Sequence, residues 1–356
     1  MDYRSDIAYI VYASDNKFAE ILGVSLVSLY ENSKDMDDIV VYVLDSGIEK
    51  QNKDRLLSVS RNYARHDITF IPAKNISEKL SMNVAIDRGS LSQYARLFVS
   101  SDLPMDLNRV LYLDCDIIIN RSIRELWNLD LNGKIIGALM DAFSKYYRQN
   151  IDLEENDIMF NSGVMLIDLR KWRKQEIEEK LMNFIAKKNG RIQQGDQGAL
   201  NAVLSHDTYC FEPRFNSVTI FYDFTYKEML VYRRPPMTYT EGQRFYTEVQ
   251  VKEAVENPSI IHFTTSFKSK RAWMKGCRHR YVGEWLRYKK MSPWKDTELC
   301  EDNRPQWKQK ALKIYISLPS WLSVRIAGVM QVYGRPVMNK MSQNKSASKT
   351  KSRTEE

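Results

Sequence analysis

The amino-terminal part of the chain alternates short apolar runs with amphipathic segments. Residues 7–13 form an apolar, β-branched run typical of a strand, and residues 18–30 carry apolar side chains at helical spacing. The alternation continues with predicted strands at 39–44 and 68–71 and a predicted helix at 51–65 between them. Strands that alternate with helices indicate a parallel sheet with crossover helices, and therefore an α/β fold.

The middle of the chain contains its most strand-like stretch, residues 109–119, which after Arg109 is apolar except at Asp114 and Asp116. Runs that are apolar on both faces are typical of central strands in a sheet. Further elements are predicted around it: a helix at 91–99, strands at 135–140 and 158–168, and a helix at 169–187. After about residue 190 the regular alternation fades into mixed segments.

The pattern changes again near the carboxyl terminus, where aromatic and aliphatic residues interleave with basic ones. Pro319 and Pro336 are predicted to divide this region into short helices, because proline interrupts a helix. The last residues, rich in Ser, Lys and Asn, are predicted to be disordered. The predicted organisation is one domain over 1–290, an amphipathic, basic and aromatic helical segment over 291–340, and a disordered tail over 341–356.

Composition and charge refine this picture. With 356 residues, of which 43% are hydrophobic and 28% charged, the chain has enough apolar surface for a large core. The net charge of +8 is unevenly distributed. Residues 304–356 hold eleven of the 53 basic residues and two of the 45 acidic ones, so residues 1–303 hold 42 and 43 and are almost neutral. The basic character belongs to the carboxyl-terminal segment.

This basic segment indicates binding to a surface. Its apolar content is too high for an arm that follows nucleic-acid phosphates, so no nucleic-acid partner is expected. An amphipathic segment on an anionic membrane surface, through residues 304–340, fits better, because each Lys or Arg near such a surface contributes about 1 kcal/mol. The alternative is that these helices simply pack on the rest of the protein.

Missing patterns exclude several classes of protein. The four cysteines are scattered without a C-x-x-C pair, which argues against a zinc site or a disulfide framework and favours a reducing compartment. The amino terminus does not resemble a secretion signal, and no run of about 20 apolar residues could span a bilayer. Fingerprints of dinucleotide-binding proteins, P-loop NTPases, zinc proteases and serine hydrolases are absent from the sequence. The cysteines and the absent signal predict a cytoplasmic protein. The basic segment predicts that it is attached peripherally to the inner face of the cell membrane.

Asp114 and Asp116 are the first candidates for chemistry. They follow the apolar run, and the period of two along a strand places both carboxylates on one side, close enough to share a divalent cation. Hard oxygen ligands suit Mg²⁺ or Mn²⁺. A second triplet, at residues 35–37, lies in a polar turn where only a solvated loop is expected, so the context of each triplet decides its meaning.

Four motifs occur in order along the chain. They are residues 111–116 (LYLDCD), 160–169 (FNSGVMLIDL) with Trp172, 195–197 (GDQ) and 261–263 (IHF). With these motifs in this order, the chain resembles family 8 glycosyltransferases from about residue 7 to residue 273. That family includes bacterial lipopolysaccharide galactosyl- and glucosyltransferases. The resemblance implies a GT-A fold with a single nucleotide-sugar-binding domain and a mixed, mainly parallel central sheet. It also implies a retaining transfer that uses a nucleotide sugar and Mn²⁺.

The resemblance assigns Asp114 and Asp116 to Mn²⁺, with Mg²⁺ as the alternative, at the diphosphate of the donor. His262 would complete the metal ligands, although a lone histidine in an apolar strand is more often a core residue. Asp15, directly after the first predicted strand, matches the position that binds uracil and ribose in the family. Taken by itself, Asp15 is equally well an N-cap for the next helix.

Four more residues match positions that the family uses around the donor. Arg96, in the sequence QYARL, would contact the donor, and its alternative is an ion pair on a helix surface. Asn161 would hydrogen-bond the donor sugar, but Asn before Ser-Gly is also a common turn former. Asp196 and Gln197 would lie beside the anomeric carbon as the catalytic pair, with helix capping as their alternative.

The segment after His262 departs from the family pattern. Relatives carry a glycine and a Lys-Pro-Trp sequence, whereas this chain has Thr265, Ala272 and a longer spacing to Trp273. Lys268 is the best match for the phosphate-binding lysine. Residues 270 and 271, also basic, are the alternatives for neutralising the departing diphosphate.

The resemblance predicts a hexosyltransferase that moves glucose or galactose from a UDP-sugar to a hydroxyl of a glycan or lipid-linked saccharide acceptor. Gln197 is a poor base and no glutamate is placed as a nucleophile. Attack by the acceptor on the face that UDP leaves is therefore favoured over a covalent intermediate on Asp196. The alternative function is a catalytically silent protein of the same fold that binds nucleotide sugars or membranes.

Overall fold

The structure is a computed structural model that describes residues 7–82, 84, 91–266, 268–302 and 304–341. Its strands are β1 (Ile7–Ser14), β2 (Asp38–Asp45), β3 (Thr69–Pro72), β4 (Arg109–Leu113), β5 (Ile117–Ile119), β6 (Ile136–Met140), β7 (Phe160–Asp168), β8 (Thr208–Cys210), β9 (Ser217–Val218) and β10 (Ile260–His262). Its α-helices are α1 (Ala19–Asn32), α2 (Lys50–Asn62), α3 (Ile76–Lys79), α4 (Val99–Asp102), α5 (Arg124–Trp127), α6 (Lys145–Gln149), α7 (Leu169–Lys174), α8 (Ile177–Lys187), α9 (Gly195–Leu204), α10 (Thr219–Asp223), α11 (Tyr226–Arg233), α12 (Glu248–Glu256), α13 (Val282–Met291), α14 (Gln306–Ser317) and α15 (Ser320–Val329). Segments of 3₁₀-helix lie at Asn16–Phe18, Leu91–Phe98, Ser205–Asp207, Pro213–Asn216 and Thr240–Gly242, and a π-helical turn spans Met330–Gly334.

A seven-stranded sheet with the order β3-β2-β1-β4-β7-β6-β8 organises the molecule. All neighbouring pairs are parallel except the two pairs of β7, which runs antiparallel to both β4 and β6. A second sheet contains β5, β10 and β9. The sequence prediction of a mixed, mainly parallel central sheet is therefore confirmed.

Apolar side chains pack on both faces of the large sheet. Leu111 and Leu113 contribute to the hydrophobic cluster that contains helix α1, while Val110 and Tyr112 contribute to a second cluster that contains helices α7 to α9. This alternation follows from the period of two along a strand. A strand with both faces covered needs apolar residues at successive positions, and for this reason residues 110–113 form an unbroken apolar run.

The prediction of one strand over 109–119 is wrong, and the break between its two parts is where the candidate site lies. β4 ends at Leu113 in the large sheet, and β5 begins at Ile117 in the small one, where it pairs with β10. The two aspartates between them leave the strand conformation, since carboxylates at the centre of a sheet would lack water and partners. Asp114 and Asp116 therefore lie at the junction of the two sheets.

Two predicted helices also differ from the structure. The helix predicted over 169–187 is divided into α7 and α8, because Glu176 adopts a left-handed backbone conformation with φ of 53°. Residues 91–98 form 3₁₀-helix rather than α-helix, and α4 continues from Val99. Neither difference moves a candidate residue to another part of the fold.

The carboxyl-terminal helices have unequal contacts with the body. Helix α14 has no buried residue, whereas α15 buries Val324 and lies so close to α11 that a Cβ on Gly328 would be 3.0 Å from the backbone oxygen of Val231. Trp294 belongs to the main core, where a Cβ on Gly23 would lie 2.2 Å from its ring. Among the residues that the structure describes, no helix combines the length and the apolar character needed to cross a bilayer.

Pro319 immediately precedes helix α15, as predicted, but Pro336 does not end a helix. The backbone passes through the π-helical turn at Met330–Gly334 and continues as helix to residue 341. Proline lacks the N–H that would pair with the backbone oxygen four residues earlier. That oxygen, on Val332, accepts a hydrogen bond from the Ser144 hydroxyl at 3.4 Å.

Candidate active site

Asp114, Asp116 and His262 meet at the junction of the two sheets. His262 ends strand β10 and lies opposite Ile117 of β5, so antiparallel pairing brings it beside the aspartates. Its Nε2 lies 3.1 Å from Oδ1 of Asp116 and 3.8 Å from Oδ2 of Asp114. One ligand atom of each residue lies within 4.8 Å of the other two. The structure thus brings the three predicted metal ligands together.

Gly163 makes this approach of the three side chains sterically feasible. Its backbone oxygen accepts a hydrogen bond from the N–H of Asp114 at 2.7 Å. A Cβ at this position would lie 2.2 Å from Cε1 of His262 and 2.8 Å from Oδ2 of Asp114. Residue 163 must therefore be glycine if these side chains are to keep their positions.

Arg271 contacts the same cluster. Its guanidinium donates hydrogen bonds to the Asp116 carboxylate, to the backbone oxygen of Phe263 and to the hydroxyl of Thr265. Burial by itself would raise the pKa of Asp116, but the charges and hydrogen bonds of His262 and Arg271 outweigh it and hold the pKa well below its usual range. Asp116 is therefore an ionised carboxylate, as a metal ligand must be.

Arg96 is buried between two carboxylates rather than on a helix surface. Its Nη1 lies 3.1 Å from Oδ1 of Asp114, and its Nε lies 2.7 Å from Oδ2 of Asp196. Nη1 also donates to the backbone oxygen of Ser162 at 2.8 Å. Burial would lower the pKa of Arg96, but Asp114 and Asp196 outweigh this effect and raise the pKa, so the guanidinium stays charged.

Asp196 and Gln197 begin helix α9 and face the start of strand β7. The Gln197 side-chain oxygen lies 3.3 Å from the backbone N–H of Ser162 and 3.4 Å from its hydroxyl, from which it accepts. Burial raises the pKa of Asp196 to about 6, an effect that Asp114 strengthens and Arg96 opposes. Arg96 thus connects the metal cluster to the predicted catalytic pair.

Asn161 is fastened into the same region by a residue that the sequence analysis missed. Its Oδ1 accepts from the backbone N–H of Gly163 at 3.0 Å and from Nδ2 of Asn216 at 2.9 Å. Asn216 is fully buried and also contacts Nδ1 of His262 at 2.9 Å. Nothing in the sequence distinguished Asn216, directly before the two-residue strand β9, from an ordinary turn residue.

Asp15 caps the 3₁₀ turn after β1, as the structural alternative predicted. Its carboxylate accepts from the backbone N–H groups of Lys17 at 3.0 Å and Phe18 at 3.2 Å. The end of β1 lies beside the metal cluster, since the Cys115 thiol donates to the backbone oxygen of Ala13 at 3.3 Å. Capping does not exclude nucleotide binding, and that role of Asp15 stays a prediction.

The three candidate phosphate-binding cations point in different directions. The Lys268 ammonium donates to the backbone oxygen of Asp223 and lies 5.2 Å from the centre of the Phe224 ring. Lys270 donates to the backbone oxygen of Lys275 at 2.9 Å. Arg271 contacts the metal cluster, so the structure brings Arg271 rather than Lys268 to Asp116, and the phosphate-binding role of Lys268 stays a prediction.

The residues present fit a divalent cation of the Mn²⁺ type. Two carboxylates and one imidazole combine the hard oxygen ligands preferred by Mg²⁺ and Mn²⁺ with a nitrogen that transition metals accept. Both carboxylate side chains retain partial exposure, at 25% for Asp114 and 13% for Asp116, which leaves room for oxygens of a ligand.

Comparison with known proteins identifies the family. The model of glycosyl transferase family 8 matches residues 9–274, which is most of the chain and includes every residue of the cluster. The chain belongs to glycosyl transferase family 8. The predicted family is thereby confirmed, and this family 8 protein is a glycosyltransferase.

This family 8 glycosyltransferase is similar to several bacterial proteins. It is 30% identical over 297 residues to General stress protein A of Bacillus subtilis (strain 168), covering 82% of this chain and 96% of that one. It is 23% identical over 328 residues to Lipopolysaccharide 1,2-glucosyltransferase of Escherichia coli (strain K12), covering 91% and 90%. The crystal structure of the galactosyltransferase LgtC with donor and acceptor sugar analogues matches with a TM-score of 0.66 at 23% identity, covering 85% and 99%. The structural match confirms the GT-A fold.

Proposed function

We propose that this glycosyltransferase moves a hexose, glucose or galactose, from a UDP-sugar to a hydroxyl of a glycan or lipid-linked saccharide, with retention of configuration and dependence on Mn²⁺. The observation that carries the proposal is the convergence of Asp114, Asp116 and His262 within 4.8 Å. A bound Mn²⁺ would neutralise charge on the diphosphate of the donor. Similarity to a protein named as a glucosyltransferase and to one named as a galactosyltransferase supports a hexose donor.

Arg271 is the cation best placed to assist the leaving group. Its guanidinium already lies against Asp116, and its planar fork of donors suits phosphate oxygens. We therefore assign the phosphate-binding role to Arg271 in preference to Lys268. Lys268 has a structural alternative, because its ammonium joins the chain at Asp223 to the segment after His262.

The site supports attack by the acceptor on the face that UDP leaves. Asp196 is engaged by Arg96 at 2.7 Å and buried, so its carboxylate is poorly suited to act as a free nucleophile. Gln197 holds Ser162 and cannot accept a proton at neutral pH. The departing phosphate oxygen is then the natural acceptor for the proton of the attacking hydroxyl. A covalent intermediate on Asp196 is the less favoured route.

The test is release of UDP from a panel of UDP-sugars, with and without Mn²⁺, in the wild type and in Asp116→Ala. Turnover of one UDP-hexose that requires Mn²⁺ and falls at least about a hundredfold in the variant is expected, since lost electrostatic stabilisation of this kind costs several kcal/mol. Asp37→Ala is the matched control, because Asp37 belongs to the exposed second triplet. Binding of UDP without turnover of any sugar, even with acceptor extracts, would favour the alternative of a silent nucleotide-sugar-binding protein.

We also propose that residues 304–340 hold the enzyme at the anionic, cytoplasmic face of the cell membrane. Large apolar side chains are exposed along this segment, including Trp307 at 67% and Trp321 at 64%. The described part of the segment has basic residues and no acidic residue between 305 and 341. An amphipathic, basic surface of this kind suits attachment to an anionic leaflet and would place the enzyme beside a lipid-linked acceptor.

A further inference from the structure

A buried row of polar groups connects the backbone of Gly163 to His262. The Gly163 N–H meets the Asn161 carboxamide at 3.0 Å, the Asn161 carboxamide meets that of Asn216 at 2.9 Å, and Asn216 meets Nδ1 of His262 at 2.9 Å. Asn161 is 9% exposed, Asn216 is 0% and His262 is 3%. Water cannot replace these contacts readily, so each group depends on its neighbour.

The direction of every hydrogen bond in this row follows from its first member. A backbone N–H can only donate, so the atom of Asn161 that faces Gly163 is the oxygen. The same oxygen meets Asn216, so the facing atom of Asn216 must be the donor nitrogen Nδ2. The other carboxamide atom of Asn216 is then the oxygen, which can only accept, and Nδ1 of His262 must carry a proton.

Both ends of the row gain a defined chemical character. When a cation is bound, a proton on Nδ1 leaves the His262 ring neutral with its lone pair on Nε2, the nitrogen that faces Asp114 and Asp116. At the other end, Oδ1 of Asn161 accepts twice, so the group that Asn161 can offer to a sugar hydroxyl is its Nδ2. The row thus presents a lone pair to the cation and an N–H to the sugar.

The backbone holds this geometry firmly. Asn216 directly precedes β9, which pairs in parallel with β10 so that Ser217 lies opposite Ile261 and Val218 opposite His262. The Thr219 hydroxyl also donates to the backbone oxygen of His262 at 3.3 Å. Asn216 and His262 are therefore fixed on adjacent strands.

We propose that Asn216 is a positioning residue that fixes the tautomer of His262 for cation binding and, through the same carboxamide, turns Nδ2 of Asn161 towards the donor sugar. This inference rests on the proposed function, since it requires the divalent cation and the UDP-sugar. It assigns to one buried amide the coupling of the cation subsite to the sugar subsite. Hydrogen bonds to the second nitrogen of a ligating histidine commonly set metal affinity in this manner.

Two substitutions at residue 216 separate the two ends of the row. Asn216→Leu removes both hydrogen bonds, and the affinity for Mn²⁺, measured from the electron paramagnetic resonance signal of free Mn²⁺, is expected to fall 10- to 100-fold. Asn216→Asp keeps an acceptor for His262 but loses the donor to Asn161. Its Mn²⁺ affinity should stay within about threefold of wild type, while the advantage of UDP-glucose or UDP-galactose over UDP in binding falls about tenfold.

Asn150→Leu is the matched control for loss of a buried asparagine. Asn150 is buried and donates to Gln193 at 2.6 Å and to the backbone oxygen of Pro336 at 2.9 Å, away from the row. Its substitution should lower the melting temperature but leave Mn²⁺ affinity unchanged. Equal losses of Mn²⁺ affinity in Asn150→Leu and Asn216→Leu would mean that the effect is general destabilisation, and would overturn the inference.

Nitrogen-15 NMR of labelled histidines in the Mg²⁺-loaded protein reads the tautomer directly, with His262 among only four histidines in the chain. The proton is expected on Nδ1 in the wild type and in Asn216→Asp. At a Mg²⁺ concentration that half-saturates the wild type, Asn216→Leu should show a larger cation-free fraction of His262, in which this preference is lost. If wild type binds Mn²⁺ and Asn216→Leu binds it equally well, the inference is overturned alone. If wild type binds no divalent cation, the proposed function and the inference fail together.

Discussion

At the residue scale, adding a single methyl group at Gly163 should disturb the predicted metal site. Gly163→Ala adds a Cβ that would lie 2.2 Å from Cε1 of His262 and 2.8 Å from Oδ2 of Asp114. Because both neighbours are held by other contacts, the metal ligands must separate. Loss of Mn²⁺ affinity by at least about tenfold is expected, measured by titration against the free-ion signal, since ligand misplacement costs 10- to 100-fold.

The control for this substitution is Gly283→Ala. Gly283 lies in helix α13, and a Cβ there would meet no atom within 4 Å. This variant should bind Mn²⁺ as the wild type does and gain up to about 1 kcal/mol of stability from helix propensity. Unchanged Mn²⁺ binding in Gly163→Ala would show that the cluster tolerates a side chain at that position.

Asp196 provides a prediction on pH dependence. Burial raises its pKa from an ordinary value near 4 to about 6, so the folded protein binds this proton more tightly than the unfolded chain does. The contribution of Asp196 to stability is therefore greatest below about pH 4 and falls as the pH rises to about 6. At about 1.4 kcal/mol per pH unit, the fall amounts to about 3 kcal/mol.

The measurement is urea unfolding of wild type and Asp196→Asn at a series of pH values from 4 to 7. Asparagine does not titrate, so the unfolding free energy of wild type minus that of the variant should decrease across this range. Other titrating groups cancel in the difference. Two profiles that run parallel would contradict the assignment of a raised pKa to Asp196.

The sequence predicted most members of the site but not what holds them. Asp114, Asp116 and His262 were identified from motifs, and the structure brings them together. Asn216 was missed because its importance arises from strand pairing between segments that are distant in sequence. The ambiguity between Lys268 and Arg271 could not be resolved either, because both are basic and only the path of the backbone decides which one reaches Asp116.

At the scale of elements, local pattern predicted where strands and helices occur better than where they end. Residues 109–119 looked like one strand, because strands of the large sheet and of the small sheet are equally apolar and the sequence pattern does not distinguish them. The change of sheet is set by the cost of burying two carboxylates, which periodicity does not report. The break at Glu176 likewise depends on a single left-handed residue that is not glycine, for which the sequence offers no signal.

A buried hydrogen bond joins helix α6 to the π-helical turn after α15, and its contribution to stability can be tested. The Gln331 side-chain nitrogen donates to the hydroxyl of Tyr147 at 2.7 Å. Tyr147→Phe removes the acceptor and leaves a buried donor without it, so the unfolding free energy should fall by about 1–3 kcal/mol. Denaturant unfolding of wild type and variant measures this change.

Tyr146→Phe is the control on the same helix. The Tyr146 ring packs against Tyr333 with centres 5.0 Å apart, a contact that phenylalanine retains. Its unfolding free energy should stay within about 0.5 kcal/mol of wild type. A similar loss in both variants would mean that the hydrogen bond to Gln331 contributes nothing specific.

At the scale of the whole molecule, the carboxyl-terminal segment has one part that packs on the body and one part that does not bury any residue. Helix α15 and the turn after it bury Val324, Gln331 and Val332 on the body, so deletion of the segment would also disturb the fold. No residue of helix α14 is fully buried. Substitutions in α14 therefore test membrane binding without this complication.

Charge reversal of Lys308, Lys310 and Lys313 to Glu is expected to weaken the affinity for phosphatidylglycerol vesicles roughly a hundredfold at low salt. Each lysine near an anionic surface contributes about 1 kcal/mol, and co-sedimentation with the vesicles measures the affinity. The three lysines are exposed on α14. Reversal of three exposed lysines elsewhere, at residues 174, 180 and 252, makes the same change in net charge and is the matched control. Equal loss in both triple variants would place the attraction in overall charge rather than in this helix.

The predicted metal ligands come from two distant parts of the chain, the turn before β5 and the end of β10. This separation has a consequence for synthesis of the protein from its amino terminus. Residues 114 and 116 leave the ribosome long before residue 262, and β5 has no neighbour among the described strands of its sheet until β10 has been synthesised. A nascent chain that ends before residue 260 carries both aspartates but neither the strand that pairs with β5 nor the imidazole. Capture of the proposed cation would therefore be a late event in biosynthesis, because the three predicted ligands are present together only after residue 262 has been translated.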